Sequence, residues 1–368
     1  MQIRIAHWPL GLALLAGAAV AQSTPQLPAG RRAGAADRRS ATAGAPQVQI
    51  DRRLLATFAP LPAQFDSERN PITGAKVDLG RMLFFDARLS RNQDHSCNSC
   101  HDLGRYGVDG ERLSHGHQGQ LGKRNAPTVY NAAGNIAQFW DGRAATVEDQ
   151  AKGPMMNPVE MAMPGEQRIV ATLSSIPEYV RRFRAAFPGE KQPLSLDNAA
   201  RAIGAFERRL VTPSRFDRYL QGDEAALTAG EKQGLKRFID AGCPSCHNGP
   251  GVGGGSYERL GAAVPYPDEK DLGRYALTQK DEDRMVFRVP GLRDVAMTAP
   301  YFHDGSVPRL QMAVHLMAEH QLGKTLSPSQ TWEIVTFLNA LTGDVPAACV
   351  APPHLPPSTR STPRPDPR

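Results

Sequence analysis

The pattern C-x-x-C-H occurs twice in the chain and is its strongest chemical signal. The first copy is Cys97-Asn98-Ser99-Cys100-His101, and the second is Cys243-Pro244-Ser245-Cys246-His247. The pattern is typical of covalent c-type haem attachment, in which two thiols bond to the haem vinyl groups and the adjacent histidine ligates the iron. A zinc site is the alternative, but zinc needs a second ligand pair at short spacing, and none flanks either copy. The motifs therefore predict two covalently bound haem c groups.

The sixth iron ligand decides what a c-type haem can do, because an open or releasable position admits a small molecule. After the first motif, His115 and His117 lie in a glycine-containing segment, from which a histidine could bind iron and leave it again. After the second motif the candidate ligands are the methionines Met285, Met297, Met312 and Met317. A thioether ligand raises the reduction potential relative to a second histidine. Residue types and spacing leave the choice within each set open.

Residues 1–21 have the features of a secretory signal peptide. Arg4 supplies a positive charge, residues 9–20 are mostly apolar, and Ala19-Val20-Ala21 is a small-x-small cleavage site. We therefore expect an exported, periplasmic protein, since c-type haem is attached outside the bacterial cytoplasm. A retained membrane anchor is the alternative, although the apolar run is short for a span.

Charge and composition limit which other classes of function are possible. The chain has 43 Lys and Arg against 37 Asp and Glu, a net charge of +6. Nothing predicts nucleic-acid binding, because no basic helix or interleaving of aromatic and basic residues is found. Composition predicts a disordered linker at 22–47 and a disordered Pro/Ser/Arg-rich tail at 351–368. The fifth cysteine, Cys349, has no partner that the sequence identifies.

The remaining body is predicted to be all-α, with two cytochrome c-like domains and long loops. The two haem motifs start 243 − 97 = 146 residues apart, which suits one haem for each domain. We place the N-terminal haem domain at 48–215 and the C-terminal haem domain at 216–350.

Apolar spacing and capping residues predict the main helices of this body. The spacing predicts helices at 78–85, 165–187 and 196–220. Thr228 and Glu231 form a capping box that predicts a helix leading to the second haem motif. Ser327, followed by proline, predicts the start of another helix.

Several further motifs have the order and content of a known family. They are Arg124-Asn125-Ala126-Pro127-Thr128-Val129-Tyr130-Asn131, Gln138-Phe139-Trp140-Asp141-Gly142-Arg143, Glu160-Met161, Val289-Pro290-Gly291-Leu292-Arg293-Asp294-Val295 and Thr298-Ala299-Pro300-Tyr301-Phe302-His303-Asp304-Gly305. Together with the haem motifs, they resemble the bacterial di-haem cytochrome c peroxidase family, which includes the methylamine-utilisation di-haem enzymes. The resemblance extends over the whole predicted body.

The resemblance implies different roles for the two haems. The first, on Cys97, Cys100 and His101, would be the low-potential peroxidatic haem, with His117 as its releasable distal ligand and His115 as a neighbour. The second, on Cys243, Cys246 and His247, would be the high-potential haem at which electrons enter, with Met317 as distal ligand. The methylamine-utilisation enzymes have a tyrosine at that position, so the methionine favours the peroxidase branch.

The resemblance also implies the residues of the reaction site. Glu160 would be the catalytic acid and base, since cleavage of peroxide needs a proton taken from one oxygen and given to the other. Gln150 would help to polarise peroxide, and Trp140 would lie between the haems as an electron route. Asn125 and the carbonyls of Thr298 and Pro300 match a calcium site between the domains.

The predicted function is therefore that of a periplasmic di-haem cytochrome c peroxidase, with two haem c groups and calcium. Its partners would be hydrogen peroxide and a small electron-donor cytochrome c or cupredoxin, with no nucleic acid and no membrane span after signal cleavage. Two alternatives stay open: an oxidase that modifies a partner protein, and a non-enzymatic di-haem electron carrier. The sequence also leaves a homodimer open.

Overall fold

The computed structural model describes residues 48–367. The predicted signal peptide at 1–21 and the predicted linker at 22–47 lie outside the described residues. Within them, the helices are α1 Arg52–Leu55, α2 Gly74–Phe85, α3 Cys97–Cys100, α4 Val147–Met156, α5 Glu166–Ser174, α6 Pro177–Ala186, α7 Leu196–Glu207, α8 Arg215–Leu220, α9 Ala229–Ala241, α10 Tyr275–Thr278, α11 Leu310–Leu316, α12 Pro328–Asn339 and α13 Ala347–Val350. Short 3₁₀ turns and long loops connect them, so the prediction of a mostly helical fold is confirmed.

Two short strands are the exception to the helical architecture. Strand β1 (Tyr257–Arg259) pairs antiparallel with β2 (Val286–Arg288), and Glu258 lies opposite Phe287. Each strand has only three residues, too few to show the alternation from which a strand is recognised in a sequence. All three residues of β2 are buried.

The capping residues begin helices where the sequence predicted them. Thr228 and Glu231 form a reciprocal capping box at the start of α9, and Ser327 and Gln330 form another at the start of α12. These side chains satisfy backbone N–H groups that have no partner inside the helix. Local chemistry was therefore sufficient to find both helix starts.

Two helices predicted as continuous are each divided in the structure. The segment 165–187 forms α5 and α6, because Pro177 at the first position of α6 cannot donate a backbone hydrogen bond. The segment 196–220 forms α7 and α8, separated at 208–214, and Ser214 begins α8 with its own capping box. Proline at position 213 disfavours helical geometry in the residue before it.

The hydrophobic core consists of two main clusters within one compact unit. The first is built around α2 and α7, and the second around α9 and α12. Leu55 and Phe58 pack in the second cluster, and Cys349 and Leu355 pack against the first. No helix among residues 48–367 is long and apolar enough to span a membrane.

The C-terminal segment differs from the disordered tail that its composition predicted. Residues 351–367 lie along the N-terminal half, where side-chain donors bind their carbonyl groups. Arg88 donates to Pro356 O at 2.8 Å, Gln93 to Pro363 O at 2.7 Å and Arg168 to Arg364 O at 2.7 Å. Prolines leave the unfolded chain fewer conformations to lose, so this polar segment can be ordered by few contacts.

Candidate functional site

The first C-x-x-C-H motif forms one wall of a large cavity. Ser96 and Ser99 form a capping box around α3, which presents Cys97 and Cys100 one helical turn apart, and His101 follows directly. Both cysteines and His101 line a cavity of about 1200 Å³. The imidazole Nδ1 of His101 lies 3.3 Å from the carbonyl oxygen of Gly107. That contact holds the ring and leaves Nε2 for a metal ion.

The second motif lines a cavity of its own. Helix α9 is followed by its capping residue Gly242, which has φ +94°, a backbone conformation that glycine adopts without steric cost. The motif begins at the next residue, Cys243, in a short 3₁₀ turn. Cys243, Cys246 and His247 line this second cavity, of about 260 Å³.

The donor sets of both cavities suit covalent haem. The five cysteines of the chain are free rather than joined in disulfides. Burial lowers the pKa of His101, and burial lowers the pKa of His247 to about 4, with the carbonyls of Val252 and Pro290 opposing that shift. Both imidazoles are therefore neutral near pH 7, which is the form that ligates iron. Two thiols and a neutral imidazole line each cavity, as a c-type haem requires.

Glu160 lies in the first cavity with two polar neighbours. Its Oε1 accepts a hydrogen bond of 2.7 Å from the side-chain amide of Asn157. Burial raises the pKa of Glu160, while the positive charge of Arg143 and the bond from Asn157 lower it. The result is a carboxyl group with a pKa above its ordinary value, suited to taking and returning a proton. Gln150, on α4, lines the same cavity.

Trp140 lines both cavities, and so does Asn125. The indole Nε1 of Trp140 donates a hydrogen bond of 2.9 Å to the backbone carbonyl of Asn125. The side-chain amide of Asn125 donates in turn to the carbonyl of Glu111 at 2.9 Å. A hydrogen-bonded aromatic ring thus lies in the wall that the two cavities share.

His115 and His117 occupy different environments in one loop. His115 lines the first cavity and pairs with Leu121 in an isolated bridge that closes the loop. His117 is buried, is not among the residues that line the cavity, and donates its backbone N–H to the carbonyl of Glu160 at 2.8 Å. Gly116 allows this docking, because a Cβ there would lie 2.1 Å from the carbonyl oxygen of Val159. The loop is therefore packed against the Glu160 segment.

Of the four candidate methionines, Met317 lines the second cavity together with His247. It begins a π-helical turn, Met317–Gln321, that continues α11, and such turns are frequent at functional sites. Met285 packs with Tyr266 and Phe287 in a small separate cluster. Met297 and Met312 are exposed. Sequence spacing could not separate these four positions, whereas in the structure Met317 alone of the four lines either cavity.

The three residues expected at a calcium site all line the second cavity. Among residues 48–367, no backbone N–H donates to the carbonyl oxygen of Thr298 or Pro300. Oxygen donors of this kind suit Ca²⁺, but no group of three or more His, Cys, Asp or Glu side chains converges in the described part of the chain to add charge. Asn125, Thr298 and Pro300 therefore offer a neutral and weak donor set.

Two buried ionisable residues in the cavities were not identified from the sequence. Glu207 lies in the first cavity, and burial raises its pKa to about 8. Arg288 lines both cavities and is 3% exposed. Each had a signal in the sequence: Glu207 follows Ile203 by four residues on the buried face of α7, and Arg288 lies among apolar residues in Val286-Phe287-Arg288-Val289.

Comparison with known proteins gives consistent similarities. Residues 74–225 match the family model described as di-haem cytochrome c peroxidase. The chain is 50% identical over 317 residues to cytochrome c551 peroxidase of Pseudomonas aeruginosa, covering 84% of this chain and 90% of the relative. It is 45% identical over 301 residues to cytochrome c551 peroxidase of Nitrosomonas europaea, covering 81% and 88%. The crystal structure of a MauG-like protein associated with microbial copper homeostasis matches with a TM-score of 0.69 and 29% identity, covering 80% of this chain and 97% of that one.

Proposed function

This chain belongs to the di-haem cytochrome c peroxidase family. We propose that its two cavities have different roles in the peroxidase reaction. Its activity is that of a cytochrome c peroxidase, the reduction of hydrogen peroxide. Each cavity has its own haem-attachment motif, yet a carboxyl group of raised pKa, Glu160, lies in the first, whereas Met317 lies in the second. This asymmetry is the observation from which the roles below are argued.

The first cavity is the site of peroxide reduction. Cys97, Cys100 and His101 would hold its haem, which supplies the electrons and the coordination position for breaking the O–O bond. Glu160 accepts a proton from one peroxide oxygen and returns it to the other, which leaves as water. Asn157 holds the Glu160 carboxyl in place through its 2.7 Å bond, and Gln150 offers an amide to orient peroxide.

The second cavity is the point of electron entry. Cys243, Cys246, His247 and Met317 would hold its haem, and a methionine ligand favours a high potential. A small soluble redox protein, either a cytochrome c or a cupredoxin, supplies the electrons in the periplasm. Trp140 provides an aromatic ring between the two cavities, held by its bond to Asn125.

His117 is the releasable ligand of the first haem, and we assign the described loop arrangement to the released state. The support is that His117 is outside the cavity lining while its backbone is bonded to Glu160. Changing His117 to Ala should leave the first haem high-spin even when fully oxidised. Changing His115 to Ala is the matched comparison, and an equal effect of both substitutions would contradict the assignment.

Calcium at Asn125, Thr298 and Pro300 would stabilise the wall shared by the cavities. A donor set without carboxylates binds Ca²⁺ weakly, so a chelator should remove it readily. Activity of the half-reduced enzyme should then fall and return when calcium is added.

The deciding experiment is a peroxide assay on half-reduced enzyme with calcium. Peroxide-dependent oxidation of reduced cytochrome c is expected, together with a high-spin signal that forms after one electron is added. If both haems stay six-coordinate and peroxide is not consumed, the chain is an electron carrier and the assignment of the first cavity fails.

A further inference from the structure

Arg288 is a buried cation in the wall between the two cavities. It ends strand β2, it is a lining residue of both cavities, and it is 3% exposed. Its backbone N–H donates to the carbonyl of Trp140 at 2.8 Å, so the residue is attached to the segment that separates the cavities. Arg288 and His303 are the ionisable residues common to the two linings.

The guanidinium of Arg288 has no carboxylate partner among residues 48–367. The two hydrogen bonds of its guanidinium, to Phe139 O at 3.4 Å and to Val289 O at 3.3 Å, are longer than an ordinary N–H···O bond. Arg293 is equally buried but forms a two-pronged pair with Asp217, at 2.7 and 2.9 Å. Of the three buried arginines among residues 48–367, Arg208 pairs with Glu148 and Arg293 with Asp217, whereas Arg288 has no carboxylate partner.

An unpaired buried charge is strongly unfavourable, so a structure retains one where an anion from outside the chain compensates it. Burial lowers the pKa of Arg288 to about 10, so the side chain still has its charge at neutral pH. The anion must reach the wall between two cavities that suit haem. A haem c has two propionate groups, and a guanidinium binds a carboxylate with two parallel hydrogen bonds.

We propose that Arg288 is the binding residue for haem propionate at the junction of the two cavities. This inference rests on the presence of the two haems in the proposed function. The cation neutralises propionate charge next to the wall that contains Trp140. Because a nearby positive charge disfavours the ferric form, Arg288 raises the reduction potential of the haem whose propionate it binds.

The test compares Arg288→Gln and Arg288→Lys with the wild-type holoenzyme. The measured quantity is the reduction potential of each haem, by spectroelectrochemistry between about pH 6 and 8, a range above the ordinary pKa of a carboxyl group. Arg288→Gln should shift the reduction equilibrium of at least one haem about tenfold or more toward the ferric form. The unpaired propionate should also titrate in this range, so the potential rises as pH falls. Arg288→Lys should restore most of the wild-type behaviour because it keeps the cation.

Two controls separate this role from others. Arg274→Gln removes a nearby arginine that does not line either cavity and already donates to Asp141 O at 2.9 Å, so both potentials should stay unchanged. Burial lowers the pKa of His303, so that residue could also titrate. The new pH dependence should therefore persist in Arg288→Gln combined with His303→Gln.

The outcomes that overturn the proposal are specific. Unchanged potentials in Arg288→Gln would show that propionate is not its partner. Wild-type potentials that depend on chloride at constant ionic strength would assign the site to a small anion instead. If Arg288→Gln does not load haem, loading of Arg288→Lys supports the charge requirement, and failure of both refutes it. Potentials do not depend on peroxide turnover, so failure of the proposed function would be seen separately.

Discussion

The backbone N–H of His117 donates to the backbone carbonyl of Glu160 at 2.8 Å. The loop that contains the proposed releasable ligand is thus bonded to the residue proposed to move protons. A movement that carries the backbone of His117 away from the Glu160 segment must break this bond. Loop position and the placement of the acid-base group are therefore coupled through one backbone contact.

Gly116→Ala should undock the loop. A Cβ at this position would lie 2.1 Å from Val159 O, and backbone atoms cannot easily give way. We expect faster amide hydrogen exchange over residues 115–121 and a smaller high-spin fraction in the half-reduced enzyme. Gly122→Ala is the matched control in the same loop, because its Cβ would make only ordinary contacts at 3.7 Å or more. Equal exchange in the two variants would contradict the docking role.

Glu160→Gln should reduce kcat for peroxide by about 10²- to 10⁴-fold, the usual contribution of a general acid-base group. The amide keeps the size of the side chain but cannot accept and return a proton. Haem content and both reduction potentials should stay close to wild type, as measured by absorbance and redox titration. Full activity in this variant would exclude Glu160 as the proton carrier.

Asn157→Ala should shift the acid limb of the kcat/KM profile to higher pH. The hydrogen bond from Asn157 lowers the pKa of Glu160, so its removal raises that pKa further. Glu160 must be ionised to accept the first proton, and it would then become ionised only at a higher pH. The profile of the free enzyme reports this directly. An unchanged acid limb would mean that another group sets it.

Glu207→Gln should change how stability depends on pH. Burial raises the pKa of Glu207 from 4.5 to about 8, so the folded chain keeps a proton that the unfolded chain releases. The contribution of protonated Glu207 to the free energy of unfolding is fully present below about pH 4.5. It is lost as the pH rises toward about 8. Relative to Glu207→Gln, wild type should lose up to about 1.4 kcal/mol per pH unit in this window. Urea unfolding of the holoproteins measures this, and a constant difference between them across the window would contradict it.

Truncation after Ser358 should loosen the loop of the first cavity. The segment that is lost includes Pro367, whose carbonyl accepts a 2.8 Å bond from Gln118, and Asp366, which pairs with Arg91 at 2.9 Å. This partly exposed ion pair contributes only about 0–1 kcal/mol, so Asp366→Asn alone should have a small effect. Hydrogen exchange should increase near Gln118 but not in α9 or α12. Unchanged exchange near Gln118 would show that the tail does not hold the loop.

Local chemistry predicted part of the fold well. The capping boxes at Thr228 and Ser327 begin helices in the structure because they depend only on neighbours within one turn. The prediction over 165–187 missed a break at Pro177, since apolar spacing continued across it. The disorder predicted for 351–368 was based on the composition of that segment alone. Composition contains no information on hydrogen-bond donors elsewhere in the chain, such as Arg88, which donates to Pro356 O.

The sequence by itself determined that this is a di-haem protein of a recognisable family, because attachment motifs are short and contiguous. Only the tertiary structure decided which methionine lines the second cavity, where the His117 loop docks, and that Arg288 and Glu207 are buried in the cavities. These relationships join residues up to hundreds of positions apart. Burial and long-range contacts set their electrostatics, and neither quantity can be obtained from spacing along the chain.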